Sequence, residues 1–324
     1  MTGPGRMPQI AVVGAGAWGT ALAVQAARAG ASVSLWTREL ASLGTDRCMR
    51  RLPGVTLPDA VAVSDALPHA ADMVLLAVPM QHLRRIASGL TLRAPLIACC
   101  KGVERGTMRL PGEVLAELHP DLPHGVLSGP NFAGEVARAL PAAAVLACAD
   151  LALAHRLARM LASPSFRLYA GDDPTGAEIG GAAKNVIAIA AGAAIGAGYG
   201  ENARAALITR GIAELGRLIT ALGGRPATAA GLSGIGDLVL TCTGTGSRNY
   251  SLGVALGGGA SLQQILAGRS TVAEGVETAP ALAARAAALG VKVPVIEAVA
   301  LLLTGRIDLA EARERLLMRP LGVE

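Results

Sequence analysis

At 324 residues the chain exceeds what one hydrophobic core ordinarily supports, so two domains are expected. Its residues are 52% hydrophobic but only 2% aromatic, so the interior has to be built from Ala, Val, Leu and Ile, with close helix packing through Ala and Gly. A net charge of +5, with no basic run beyond pairs such as Arg50-Arg51 and Arg84-Arg85, argues against a nucleic-acid footprint and suits an anionic small molecule.

The opening MTGPGRMP lacks the apolar core of a secretory signal and reads as a flexible tail. A short apolar run, Ile10-Ala11-Val12-Val13, then reads as a buried parallel strand. It leads into Gly14-Ala15-Gly16-Ala17-Trp18-Gly19 and the helix-forming stretch TALAVQAARA. In this G-x-G-x-x-G arrangement Gly14 supplies a tight turn, Gly16 removes a side chain that would block a pyrophosphate, and Gly19 lets the helix lie close to the strand. The helix N-terminus faces an anion with its unpaired N–H groups and its positive dipole end. Gly30 is placed to end the helix, and Ala31 to Trp36 reads as the next strand. Dinucleotide binding is therefore expected, against the alternative of a glycine-rich turn with no ligand.

Cofactor choice belongs just past the second strand. An acidic residue there grips ribose hydroxyls, whereas an arginine accommodates a 2′-phosphate. The chain has Thr37-Arg38-Glu39, so Arg38 favours NADP or dual use, Glu39 points the other way, and a solvated Arg-Glu pair is the plain alternative. Further buried strands are expected over Ala71 to Pro79, Leu96 to Cys100, Gly125 to Leu127, Ala142 to Ala147 and Phe166 to Tyr169. Polar loops such as Lys101-Gly102 and Ser128-Gly129-Pro130-Asn131-Phe132 follow strand ends, which in an open parallel sheet line one ligand crevice.

From about Thr175 the pattern turns helical. Helices are expected over Val186 to Gly200, Arg204 to Ala221, Ser247 to Leu256, Leu262 to Ala267, Ala279 to Ala288, Pro294 to Leu303 and Leu309 to Leu317. The Val186 to Gly200 stretch falls short of the roughly 18 apolar residues a membrane span needs and reads as a buried helix. Cys48, Cys99, Cys100, Cys148 and Cys242 are odd in number and lack C-x-x-C spacing, which argues against a disulfide framework and a zinc site and for a reducing cytoplasm. No P-loop or H-E-x-x-H motif occurs, the histidines have no metal-cluster spacing, and Ser233 in GLSGIG misses the nucleophile-elbow pattern at Ile235.

Several polar residues stand inside apolar or glycine-rich runs. Lys184-Asn185 opens an apolar helix, where burial would lower an amine pKa toward the range useful for proton transfer; the alternative is a helix-end lysine that reaches water. Asp237 follows glycines that permit close backbone approach, with an ordinary helix cap as its alternative. Ser247-Arg248-Asn249 begins a helix with an arginine, which suits a phosphate and equally a capped, exposed helix start.

The segments GAGAWGT, CCKGV, LSGPNFAGEVA, GGAAKNVIAIAAG, NARAALITRG, GLSGIGDLVLTCTGTGSRN and VAEGVET, in this order from about Ile10 to Leu317, together resemble the bacterial NAD(P)-dependent glycerol-3-phosphate dehydrogenases. The resemblance implies an α/β fold: an N-terminal Rossmann-type parallel-sheet domain over 8–183, then an all-α substrate-binding domain over 184–324. It implies interconversion of dihydroxyacetone phosphate and sn-glycerol 3-phosphate, supplying glycerophospholipid synthesis, in a cytoplasmic protein without a membrane span and expected as a homodimer. By position it gives Lys184 as proton acceptor or donor, with Lys101 favouring its neutral amine and Asp237 orienting it. It gives Lys101, Gly129, Asn131, Lys184, Asp237, Ser247, Arg248 and Asn249 as substrate contacts. Its cofactor contacts map to Gly14, Gly16, Ala17, Trp18, Gly19, Arg38, Lys101, Ala133, Arg248, Val272 and Glu274, for NADP or NAD, and no metal is implied. Two departures are visible: Ala17 stands where serine is common, leaving only a backbone N–H for the diphosphate, and Asn131 where serine or threonine is common, keeping both a donor and an acceptor. A related hydroxyacid or phosphosugar dehydrogenase and a non-catalytic NAD(P)-sensing protein are the alternatives.

Overall fold

The computed structural model describes residues 6–268 and 273–318; the first five residues of the expected tail, and Val272, lie outside the described residues. The chain forms two compact units, one from the described residues up to Lys101 with Pro111–Ala177, the other from Gly102–Leu110 with the described residues from Glu178 onward. The expected division after residue 183 falls inside a helix that carries the chain from one unit to the next.

The first unit is built on eight strands: β1 (Gln9–Val13), β2 (Ser32–Trp36), β3 (Val61–Ser64), β4 (Met73–Leu76), β5 (Leu96–Ala98), β6 (His124–Ser128), β7 (Ala142–Cys148) and β8 (Phe166–Gly171). Their order is β3-β2-β1-β4-β5-β6-β7-β8. Neighbours are parallel except β6 and β7, so β7 and β8 run opposite to the rest and the sheet is not wholly parallel as expected. The cause is the connection after β6. Its helix α4 (Ala133–Ala137) is five residues long and rises only about 7.5 Å, too little to return the chain to the starting edge of the sheet. Strand β3, absent from the expected elements, is a four-residue edge partner of β2 with one fully buried side chain, Val61.

Helices α1 (Ala17–Arg28), α2 (Met80–Ala87), α3 (Pro111–Leu118) and α5 (Leu151–Leu161) cover the sheet with α4. One face packs Ile10, Val12, Leu22, Leu75, Ile97 and Leu127; the other packs Val13, Val74, Leu76, Leu83, Leu96 and Leu115. Burial on both faces explains why these strands read as continuous apolar runs rather than alternating ones. The reversal in strand order about β1 and β4 opens the crevice of a doubly wound fold at the carboxyl end of β1.

The second unit is helical, with no strand among the described residues. Its centre is α6 (Pro174–Gly196), followed by α7 (Gly200–Ala221), α8 (Asp237–Thr243), α9 (Arg248–Gly257), α10 (Leu262–Ala267), α11 (Glu274–Ala288), α12 (Pro294–Leu303) and α13 (Leu309–Leu317). The helix expected from Val186 starts a dozen residues earlier, at Pro174, so α6 is 23 residues long. It is the one helix among the described residues long and apolar enough to cross a membrane by length and composition, and 83% of its apolar window is buried inside the protein. Val186, Ile187, Ile189, Leu215, Leu238, Leu282 and Ile296 form the core around it.

Candidate active site

The glycine turn fits a diphosphate by three separate observations. Gly14 has φ +114°, and a Cβ there would lie 2.8 Å from the Ala77 carbonyl oxygen, so turn and packing both demand glycine. A Cβ on Gly19 would lie 1.8 Å from the Gly14 carbonyl oxygen; the close approach is to the turn itself, more than to the strand. A Cβ on Gly16 would meet nothing within 4 Å, which leaves the space in front of the helix open. Helix α1 begins at Ala17 after Gly16, with no side-chain cap and no acidic residue in its first turn, so the N–H groups of Ala17 and Trp18 are left for an anion. The residues present therefore fit NAD(P). The indole Nε1 of Trp18 and the hydroxyl of Thr20 are buried without a hydrogen-bond partner among the described residues.

At the end of β2, Arg38 and Glu39 are both exposed. Glu39 pairs with Arg50 at 3.2 Å, whereas Arg38 makes no ion pair among the described residues. The acidic residue that opposed NADP is thus held by a neighbouring cation.

Beyond β5 and β6 the first unit brings two expected groups together. Lys101 is half-buried and its Nζ donates to the Gly129 carbonyl oxygen at 3.1 Å. Gly129 has φ +148°, and a Cβ there would sit 2.9 Å from Ala144 Cα. Asn131 Nδ2 donates to the Ala143 carbonyl oxygen at 3.4 Å, while its Oδ1 is buried with no partner among the described residues. The Ser128 hydroxyl, which the sequence reading left without a role, is orphaned in the same way. Ala133 is the first residue of α4. Burial pushes the thiol of Cys99, two residues before Lys101, well above its usual range, and the lysine charge only partly offsets this.

In the second unit Lys184 lies in the interior of α6, not at a helix end, and is 9% exposed. Its Nζ donates to Asp237 Oδ1 at 2.5 Å and to Thr241 Oγ1 at 3.0 Å. Asp237 is wholly buried as the first residue of α8, whose cap is Gly236, so its carboxylate serves the lysine rather than the helix end. The hydroxyl of Thr241 donates back to the Asp237 carbonyl oxygen at 2.6 Å and so turns a lone pair toward the lysine. A fully buried carboxylate needs such a partner, because desolvation without compensation costs several kcal/mol. Burial raises the Cys242 thiol to about 12, so it stays neutral beside this pair.

Next to Lys184, Asn185 Oδ1 accepts from Asn249 Nδ2 at 2.9 Å, and Asn249 Oδ1 accepts from the Gly275 N–H at 3.0 Å. This chain joins α6, the first turn of α9 and the start of α11, where Glu274 stands. Asn185 Nδ2 is buried and without a partner among the described residues. Ser247 caps α9 by accepting from the Tyr250 N–H at 3.2 Å, and Arg248 follows it on the surface. Thr241 was not anticipated because α8 was not; its spacing of four from Asp237 would have placed both on one helix face.

Family comparison agrees over both units. The model described as NAD-dependent glycerol-3-phosphate dehydrogenase N-terminus matches residues 9–154, and the corresponding C-terminus model matches residues 173–314. The chain is 57% identical to the glycerol-3-phosphate dehydrogenase [NAD(P)+] of Gluconobacter oxydans, over 97% of this chain and 98% of the relative. It is 54% identical to the enzyme of that name from Acidiphilium cryptum, over 98% of each. Among solved structures, glycerol-3-phosphate dehydrogenase from Coxiella burnetii superposes with a TM-score of 0.90 at 35% identity, over 97% of this chain and 99% of that one. With both units matched and the glycine turn, the Lys184–Asp237 pair and the Asn185–Asn249 bond in place, the chain belongs to the NAD-dependent glycerol-3-phosphate dehydrogenase family.

Proposed function

We propose that the Lys184–Asp237–Thr241 cluster is the proton-transfer centre of an NAD(P)-dependent oxidoreductase that interconverts sn-glycerol 3-phosphate and dihydroxyacetone phosphate. One observation carries the assignment: a lysine in the interior of an apolar helix, 9% exposed, with a fully buried carboxylate on its amine. Such an arrangement is costly to bury and is retained where a positioned proton is needed.

Oxidation of a secondary alcohol removes hydride from carbon and a proton from oxygen. Bound NAD(P) supplies the hydride acceptor, held by the open space at Gly16 and the α1 N-terminus, with Gly14, Ala17, Trp18 and Gly19 shaping the turn. Lys184 Nζ takes the hydroxyl proton in that direction and returns it in the other. Asp237 and Thr241 accept hydrogen bonds from the amine and fix its direction, so its orientation is set before substrate arrives. Lys101, Gly129, Asn131 and Asn249 are assigned to the substrate's polar groups, and Ser247 with Arg248 to its phosphate, where a remote anion fixes orientation at the reacting carbon. Ala133, Lys101, Arg248, Val272 and Glu274 complete the proposed cofactor contacts. Arg38 is assigned to the 2′-phosphate of NADP, supported by the engagement of Glu39 with Arg50.

The physiological role proposed is supply of glycerol phosphate for phospholipid synthesis by a cytoplasmic homodimer; sedimentation velocity checks the assembly. The deciding assay follows NADPH and NADH consumption with dihydroxyacetone phosphate. Turnover with both the substrate and its phosphate required supports the assignment; turnover unaffected by replacing dihydroxyacetone phosphate with dihydroxyacetone rejects the phosphate site.

A further inference from the structure

Helix α4 spans only Ala133–Ala137, too short to persist on its own propensity. Two features hold it. Its alanines Ala133 and Ala137, one turn apart, pack against Ala17, Trp18 and Ala21 in the first turns of α1, the same turns that form the diphosphate site. At its other end the guanidinium of Arg28, the last residue of α1, closes on the final carbonyls. Nη1 donates to the Val136 carbonyl oxygen at 3.0 Å and Nη2 to that of Ala137 at 2.6 Å. The Val136 carbonyl also accepts from the Ala139 N–H at 3.1 Å, but no further helical turn follows, and a cation there also complements the helix dipole.

The fork is itself fixed from behind. Arg28 Nη1 donates to Gln25 Oε1 at 2.8 Å, and the wholly buried Gln25 donates from Nε2 to the Leu161 carbonyl oxygen at 2.9 Å, at the end of α5. Three elements are therefore joined through the Arg28–Gln25 pair. Lysine cannot reproduce this, because its single nitrogen lacks the planar set of donors.

We propose that Arg28 is a positioning residue for the dehydrogenase reaction. It sets where the segment Gly129–Ala133 stands relative to the glycine turn. The inference rests on the reading above that this segment serves the reacting end of the cofactor and the substrate. Arg28 touches neither, since the twelve residues of α1 put about 18 Å of helix between it and the diphosphate turn. It acts through α4. Strand order gives the effect a direction: a diphosphate held at the glycine turn would lie over the end of β1, the nicotinamide half would extend toward β4, β5 and β6, and Gly129–Phe132, which follow β6, would face that half.

The test compares Arg28→Met and Arg28→Lys with the parent protein, using calorimetric titration with NADP⁺ and with 2′-phospho-ADP-ribose, which ends before the nicotinamide. Steady-state kinetics with dihydroxyacetone phosphate and thermal melts complete the set. In Arg28→Met the fragment should bind within about twofold of the parent, while the NADP⁺ Kd and the KM for dihydroxyacetone phosphate rise about fivefold to tenfold and kcat falls. Arg28→Lys should lie between. Equal weakening of fragment and NADP⁺ would place the effect at the diphosphate turn and overturn the proposal. So would a lowered melting temperature with affinities and KM unchanged. If Arg28→Met does not fold, the same comparison is read from Arg28→Lys. Asn131→Ala separates the two claims: if it leaves NADP⁺ affinity and KM unchanged, the reading of the segment fails whatever Arg28 does.

Discussion

Lys184 is held by two oxygens supplied from a helix more than fifty positions further along the chain, at a sequence separation of 53 to Asp237. This is why the residues around the lysine alone do not show that Thr241 stands beside it. A cation two residues before Val186-Ile187-Ala188-Ile189 stands out on composition alone, but whether it ends a helix or sits within one depends on the ten residues of α6 before it, whose glycines and alanines give a weak periodic signal. Asp237 stood out because it follows glycines, and Thr241 could not, being an ordinary threonine until α8 is drawn. Lys184→Met should lower kcat by at least about 10² to 10⁴, with NADPH affinity, followed by fluorescence, little changed. It also removes the cation from a buried carboxylate, which should cost about 3–5 kcal/mol in a denaturant melt. Adding Asp237→Asn should recover much of that stability and none of the turnover. Recovery of turnover in the double variant would remove Lys184 from proton transfer. At the cofactor end, Arg38→Ala should raise KM for NADPH more than for NADH, and Arg38→Ala with equal losses would show that Arg38 does not read the 2′-phosphate.

Between elements, glycine decides which helices can touch. Gly192 and Gly196 on α6 face Gly253 and Gly257 on α9, and a Cβ on any of them would fall 2.1 to 2.2 Å from a backbone oxygen of the other helix. The two backbones are therefore in direct contact, and this contact carries Asn249, at the start of α9, to Asn185 on α6. The composition anticipated close packing through Ala and Gly, but not which pair of helices uses it, because small-residue spacing occurs in several helices. Gly216 on α7 is the natural comparison, since a Cβ there meets nothing within 4 Å. Gly253→Ala must part the helices and should destabilise the protein by about 3 kcal/mol or more, and should also raise KM for dihydroxyacetone phosphate. Gly216→Ala should stabilise it by about 0.5–1 kcal/mol, as expected in a helix interior where the added methyl group has open space. Chemical denaturation of both variants at one pH checks the pair. Similar effects of the two substitutions would mean that α6 and α9 are not packed this closely.

At the scale of the whole chain, most strands were legible as short apolar runs and several helices by their periodicity, as Leu262–Ala267, Pro294–Leu303 and Leu309–Leu317 show by matching their expected bounds. Reversal of β7 was not, because it follows from the shortness of α4 rather than from any pattern in β7. Nor was the membership of Gly102–Leu110 in the second unit, which depends on contacts with α11 such as Arg285 Nη1 to the Met108 carbonyl oxygen at 2.6 Å. Glu214 belongs to the same class. It is an unremarkable glutamate in an amphipathic stretch, yet it is 1% exposed and its carboxylate accepts from the N–H groups of Val295 at 2.7 Å and Ile296 at 3.2 Å, capping α12 from α7. Burial raises its pKa from 4.5 to about 7, against the lowering effect of those two N–H groups and of Arg217. The folded state therefore binds this proton more tightly than the unfolded chain does. Its contribution to stability is fully present below the unfolded value of 4.5 and is lost as pH rises through about 7. At about 1.4 kcal/mol per pH unit, the loss over that interval is on the order of 3 kcal/mol. Glu214→Gln mimics the protonated form: one oxygen still accepts, and no charge is buried. The variant should match the parent at the acid end of the interval and exceed it in stability above neutral pH, so that the difference between the two melting curves rises across the window. A difference that stays flat from pH 4.5 to 7, or one that favours the parent above neutrality, would mean that the carboxylate is stabilised by its two N–H donors as fully as water stabilises it in the unfolded chain.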